Sequence, residues 1–221
     1  MVSTNEAIAS QVLAEKRVSL HDISWQIYET ISNALGDRRS PRLTYYQDTL
    51  EIMTPLESHE SASDLIGDFI KILVEEAGLN IKSLGSTTLN RPDLRAGAEP
   101  DKCYYIQNEP LVRGRTVDLE TDPPPDLVVE IDITPTDIDK KALYEQMGVP
   151  EFWHYDGSVI TPYLLQDHQY QEVQTSPTFP WVQKETLYQF LKDCNEQGET
   201  QAKQNLRDWA REQFQLLGMN G

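Results

Sequence analysis

The chain has little cysteine: two residues, Cys103 and Cys194, in 221. They lie far apart and form no metal-type spacing, which argues against a disulfide framework or a zinc site and fits a reduced, cytoplasmic protein with two free thiols. No apolar run approaches the roughly 20 residues of a membrane span. The N-terminal MVSTNEAIASQVLAEKRVSL sets no compact apolar stretch behind positive charge, so no signal peptide is expected. The sequence also lacks a Gly-rich phosphate loop, a Ser-His-Asp spacing and any internal repeat. Basic residues are scarce: 19 Lys and Arg stand against 36 Asp and Glu, a formal net charge of −17. Such a chain repels nucleic acid at long range, so a nucleic-acid function needs its own local cations.

What is present is ordinary for a globular domain, with 38% apolar and 25% charged residues, and the length suits one sizeable core. The charge is uneven. Arg91, Arg95, Lys102, Arg113 and Arg115 fall in one segment, and the next, 117–139, has eight acids and no Lys or Arg. A solvated mixed-charge surface is one reading of both.

Residues to about Lys16 read as a polar arm or frayed helix. SLHDISWQIYETISNALGD then has apolar residues at helical spacing (Ile23, Ile27, Ile31, Leu35). RLTYYQDTLEIMTP reads as two strands around Gln-Asp, and a helix is expected from about Ser58 to Ala77, stopped at Gly78. NIKSLGSTTL is strand-like, NRPDLRAGAEP a loop, DKCYYIQ a short strand, and LVRGRTVDL a loop or edge strand. LVVEIDI is apolar on both faces and reads as a central covered strand. TPTDIDKKALYEQMGVP reads as a helix capped by Thr134 or Thr136 and ended by Gly148. EFWHYD and VITPYLLQ pair across Asp156-Gly157, and YQEVQT extends the sheet. A polar helical tail from Lys184 packs outside the domain or on a partner chain. The order implies an α/β (α+β) fold, a mixed sheet with helices against both faces.

Glu130 sits inside the central strand, where a lone carboxylate is costly to desolvate. Alternation puts Val128, Glu130 and Asp132 on one face and Leu127, Val129 and Ile131 on the other. Asp101 opens a second strand. Carboxylates gathered so need a cation or proton between them, and Mg²⁺ or Mn²⁺ suits an oxygen-only set. By helical phase Lys140 points inward with Leu143, Tyr144 and Met147 while Lys141 leans out. A buried structural Glu130–Lys140 ion pair produces the same pattern. His59 lies on the apolar stripe of its helix, as a packed histidine would, and Glu60 lies near the polar edge.

In chain order LTYYQDTLEIMTPLESHE, LGSTTLNRPDLRAGAEPD, EPDKCYYIQNEP, DPPPDLVVEIDIT and KKALYEQMGVPEFWHYDG resemble the Uma-type family of restriction-endonuclease-like proteins, from about Ser19 to Leu165. That family is similar to the PD-(D/E)XK nuclease superfamily. The resemblance implies a restriction-endonuclease-like mixed central sheet flanked by helices, with a metal site at one sheet edge. It makes Asp101 the motif aspartate and Glu130 the second metal-binding acid, with the Ile131 carbonyl completing the site. The motif lysine belongs at position 132, where this chain has Asp132, so Lys140 is its displaced counterpart. Glu60, or second to it His59, takes the supporting acid position. The implied function is Mg²⁺- or Mn²⁺-dependent endonuclease hydrolysis of DNA phosphodiesters by a homodimer. Alternatives are a non-catalytic interaction or regulatory protein on the same scaffold, or a nuclease for RNA or branched substrates. The expected divisions are an arm (1–18), an endonuclease-like domain (19–183) and a C-terminal helical extension (184–221).

Overall fold

In the computed structural model, which describes residues 14–36, 40–85 and 87–216, the chain alternates helices with short strands. Residues 1–13 of the expected polar arm lie outside the described residues. Its last residues, however, begin strand β1 (Glu15–Leu20), so the sheet starts earlier than the polar sequence suggests. Helix α1 (Trp25–Leu35) is capped by Ser24, whose side chain accepts from the Ile27 amide. Its buried face is Trp25 and Tyr28, while Ile27 and Leu35 of the expected stripe are exposed. The aromatics win because both meet Tyr45, with ring centroids 5.5 and 4.9 Å away.

Strands β2 (Arg42–Tyr46) and β3 (Thr49–Pro55) form the expected hairpin. Gln47 and Asp48 both have positive φ, the geometry that matches the twist of a two-residue turn. Helix α2 (Glu57–Glu76) buries Leu65, Ile66, Phe69, Ile70 and Leu73. Strand β4 (Lys82–Ser83) is brief. The expected loop NRPDLRAGAEP is instead largely a hairpin: β5 (Leu89–Arg91), a 3-10 turn over Pro92–Leu94, and β6 (Ala96–Ala98). Small residues permit this. A Cβ on Gly97 would lie 2.3 Å from the Tyr28 hydroxyl, so only glycine lets β6 pass beneath α1.

Strand β7 (Lys102–Tyr105) leads to a short helix α3 (Glu109–Val112), where the sequence suggested loop or edge strand. Strand β8 (Leu127–Ile131) is buried along its whole length. Helix α4 (Lys140–Met147) starts later than expected, because Asp139 rather than Thr134 or Thr136 is its cap, accepting from the Ala142 amide at 2.9 Å. Gly148 ends it in the left-handed region. Strands β9 (Glu151–Tyr155), β10 (Ile160–Gln166) and β11 (Gln169–Glu172) follow, then helices α5 (Lys184–Gln197) and α6 (Glu199–Leu216).

Two sheets result: β1-β3-β2-β6-β5 and β11-β10-β9-β8-β7-β4. Among the described strands the β8–β9 pair is parallel and the others are antiparallel, with α4 as the crossover. One face of β8, with Leu127, Val129 and Ile131, packs in a core with α2, α5 and α6. The other, with Val128, packs with α4 and residues of β5 and β6. This mixed α+β arrangement is a restriction-endonuclease-like one, with helices on both faces of the six-stranded sheet. The tail helices lie on α2, where Arg207 and Arg211 pair with Glu76. No described helix is long and apolar enough to cross a membrane.

Candidate functional site

The ladder that buries β8 also fixes what its carboxylates meet. Glu130 is 1% exposed. One of its oxygens accepts from the Tyr144 hydroxyl at 2.5 Å and the other from Lys140 Nζ at 2.7 Å. Lys140 and Tyr144 are one helical turn apart on the inward face of α4, as the phase of Leu143 and Met147 requires. Lys141 is exposed and sits over the Tyr163 ring, 4.8 Å from its centroid.

Asp132 stands just past the end of β8. Its Oδ1 accepts from Lys140 Nζ at 2.7 Å and from Arg17 Nη2 at 2.6 Å. Its Oδ2 is buried without a hydrogen bond, and His154 Nε2 lies 3.3 Å away. Burial alone would raise the Asp132 pKa. Lys140, the His154 contact and Arg17 outweigh it and hold the group well below the usual carboxylate range. Burial would likewise lower the Lys140 pKa, but Asp132 and Glu130 keep it above its ordinary value. A lysine held between two carboxylates of one strand face is therefore charged. Tyr144 is pushed well up by burial and by Glu130, which keeps its proton on the hydroxyl that Glu130 accepts.

Asp101 precedes Lys102, which pairs with Val129, so the register places Asp101 one step further, beside Glu130. Its carboxylate turns toward a different set of partners. Oδ2 accepts from the Ile131 amide at 2.7 Å. Oδ1 lies 2.7 Å from His59 Nε2 and is paired with Arg42 of β2. Arg42 also reaches Glu60 at 3.2 Å, so Glu60, half exposed, touches Asp101 only through the guanidinium. His59 is fully buried and bridges two acids: its Nδ1 is 2.8 Å from Glu15.

Glu15 in turn accepts from the Ile133 and Thr134 amides at 3.1 and 2.9 Å and from the Thr134 hydroxyl. Burial raises its pKa, but the His59, Thr134 and Arg17 contacts bring it below the ordinary value. Arg17 spans Asp132 and Glu51, with Nη1 2.5 Å from the latter, and Glu51 accepts from Thr136 at 2.8 Å. Thr134 and Thr136, expected as helix caps, thus serve the carboxylates of the first sheet.

All the residues singled out in the sequence lie in one connected network, in two groups. Glu130 and Asp132 meet Lys140 of α4, while Asp101 meets His59 of α2 and Arg42, which also reaches Glu60 of α2. Sequence reading missed Glu15, Arg17, Arg42, Glu51 and Tyr144. Tyr144 was legible as an inward helix position, but its hydroxyl contact was not. Glu15 and Arg17 gave a misleading signal, because β1 is inside out: Val18 and Leu20 are exposed while Glu15 is buried and the Arg17 side chain nearly so.

Asp126, directly before β8, has a separate task. Asp126 accepts from the Ile106 and Asn108 amides at 2.6 and 2.9 Å and from the Asn108 side chain at 2.6 Å, pinning the turn after β7. The basic segment is largely paired: Arg91 with Asp93, Lys102 with Asp64, Arg113 with Glu109 and Arg115 with Asp122. Its charge is spent locally rather than gathered into a cationic groove.

Among the described residues no three His, Cys, Asp or Glu are grouped to hold a metal, so an all-protein cage does not fit. A magnesium-type site needs only one or two carboxylates, completed by water and phosphate oxygens. Each carboxylate oxygen has two acceptor positions. One remains on each Glu130 oxygen and on Asp101 Oδ2 after the hydrogen bonds above. That donor chemistry fits a divalent cation of the second kind. A family model described as "Uma2: Putative restriction endonuclease" matches residues 25–191. No curated protein matches the chain.

Proposed function

The chain belongs to the Uma2 family of restriction-endonuclease-like proteins, and from that premise we propose that it hydrolyses DNA phosphodiester bonds at a site built on Asp101, Glu130 and Lys140. The observation that carries this reading is Lys140, buried at 2.7 Å from Glu130 on the neighbouring element, with Asp101 beside Glu130 in the strand register. Together they form an acid–acid–lysine set, although position 132 is an aspartate.

Asp101 and Glu130 are the residues that would hold Mg²⁺ or Mn²⁺, and the bound ion supplies phosphoryl polarisation and a lowered pKa for a water. The remaining work belongs to the chain. Tyr144 and Lys140 fix the Glu130 carboxylate, so its orientation is set before substrate arrives. The Ile131 amide, His59 and Arg42 do the same for Asp101, and Glu60 steadies Arg42. The Lys140 ammonium is a preorganised positive charge for the negative charge that develops on phosphoryl oxygens. Asp132 takes a share of that ammonium, and its own charge is balanced by Arg17. A homodimer would bring two such sites to one duplex, which light scattering tests.

Supercoiled plasmid incubated with the purified protein and Mn²⁺ should be nicked, and Glu130→Gln and Lys140→Met should remove the nicking. Equal, metal-independent background from wild type and Glu130→Gln would overturn the reading. A second reading, a non-catalytic interaction protein on the same scaffold, is favoured by one observation: Arg17, Arg42 and Lys140 are each already paired with buried acids. Under it, calorimetry finds no divalent-ion uptake at millimolar concentration by the folded protein.

A further inference from the structure

We propose that Arg17 is a positioning residue for the site, a counter-ion built into the fold that neutralises Asp132, keeps Lys140 on Glu130 and restrains divalent-cation binding. The inference rests on the proposed function for the identity of the cation and deepens it by naming what limits its uptake.

Three observations place Arg17 in this role. It comes from β1, an edge strand before the family-matched stretch, yet its side chain is 8% exposed and ends on Asp132. Strand β1 is held in register by six pairs with β3 and anchored at its start by Glu15, which grips the Ile133–Thr134 backbone immediately after Asp132. Arg17 is therefore presented by a fixed strand rather than a mobile side loop. Finally, Asp132 Oδ1 is shared between Arg17 and Lys140 at 2.6 and 2.7 Å.

The consequence follows from charge balance. With Arg17 present, Lys140 has only part of Asp132 to satisfy and stays bonded to Glu130. Without it, Asp132 has Lys140 as its one strong cation, since His154 is 3.3 Å from the other oxygen. The ammonium is drawn toward Asp132, Glu130 gains free acceptor capacity, and the cluster is one charge more negative. Both changes favour a divalent ion. Even at the dielectric constant of water, a unit charge about 10 Å from a divalent ion changes its affinity about fourfold.

Mn²⁺ is the probe, titrated by calorimetry into the full chain, with near-ultraviolet circular dichroism to report folding. Arg17→Met is expected to bind Mn²⁺ about fourfold tighter or more than wild type. Arg17→Lys, which keeps the charge, should stay close to wild type. Arg207→Met, which removes an equal charge from the α2–α6 surface, should change little. Should Arg17→Met fail to fold, Arg17→Met/Asp132→Asn removes both ends of the Arg17–Asp132 bridge, restores the net charge of the cluster and is expected near wild-type affinity. A fourfold shift in that double variant refutes the role. Equal Mn²⁺ affinity of folded Arg17→Met and wild type overturns the inference and leaves the nuclease reading standing. Uptake by Arg17→Met with none by wild type supports the inference and counts against an active wild-type site. Uptake by neither overturns both.

Discussion

Replacing Lys140 by methionine tests the core of the site most directly. Lys140 is 5% exposed, and its ammonium donates to Glu130 and Asp132, each at 2.7 Å. Methionine keeps most of the stem's volume and removes the charge. Glu130 is then left with the Tyr144 hydroxyl, and Asp132 with Arg17. Breaking a buried pair by removing one partner costs about 3–5 kcal/mol, because an uncompensated charge stays behind. For a chain of this size each kcal/mol moves Tm by about 2–4 °C, so the melt should fall by roughly 6–20 °C. Replacing Glu130 by methionine as well removes the stranded charge, and exchange of a buried pair for apolar groups is often close to neutral. The double variant should therefore be more stable than the sum of the single losses predicts, with a coupling of about 2 kcal/mol. Urea denaturation of the four proteins at pH 7 measures it. If Lys140→Met costs under about 1 kcal/mol, or the two losses simply add, the pair behaves as a screened surface contact, and the reasoning from burial fails.

Other expectations follow from the same contacts. Asp132 and Glu15 titrate below their unfolded values of about 3.9 and 4.3, so their stabilising share is complete above about pH 5 and is lost as pH falls through their folded pKa values. Lys140 has the opposite sign, with stability complete below its unfolded value of about 10.4 and lost as pH rises through a still higher folded one. Urea midpoints across pH should show a plateau between the two limbs, and Asp132→Asn should flatten the acid limb. Asp126→Ala strands the Ile106 and Asn108 amides and should cost about 2–3 kcal/mol in a melt while leaving Mn²⁺ affinity unchanged. Gly97→Ala drives a Cβ to 2.3 Å from the Tyr28 hydroxyl and 2.7 Å from Asn90 Oδ1. Overpacking of about 1–3 kcal/mol is expected, with a matching loss of soluble yield.

The central part of this architecture was legible because its signals are local. The continuous apolar run of β8, the phase of α4 and the Gln47-Asp48 turn each depend on neighbours within a few residues. The placement of Glu130 and the inward aim of Lys140 follow from alternation and helical pitch alone. What could not be read depends on distant partners. Strand β1 buries Glu15 and turns Arg17 inward while Val18 and Leu20 are exposed, because those two charges find polar partners, His59, Asp132 and Thr134, far along the chain, and periodicity carries no sign of that. Arg42 opens β2, and nothing near it in the chain shows that the fold brings Asp101 and Glu60 to it. The caps of α4 went wrong for a related reason: Thr134 and Thr136 have the right chemistry, but Glu15 and Glu51 claim them from the other sheet. Small residues misled in the opposite sense. Ala96-Gly97-Ala98 reads as loop composition, and it forms a strand because nothing larger fits under Tyr28.

The Arg17–Asp132 bridge spans 115 residues of sequence, which has a consequence for how the molecule is made. At a synthesis rate of about 5–20 residues per second, Arg17 leaves the ribosome's catalytic centre roughly 6–23 s before Asp132 is added. During that interval β1 can already pair with β3, since all of β3 is made within the next few dozen residues. The first sheet can thus begin to assemble on the nascent chain with Glu15, Arg17 and Glu51 facing a gap where the second sheet will dock. A charged, water-compatible face suits that wait better than an apolar one, which would invite premature association. The polarity of β1 then serves the half-made protein as well as the finished one.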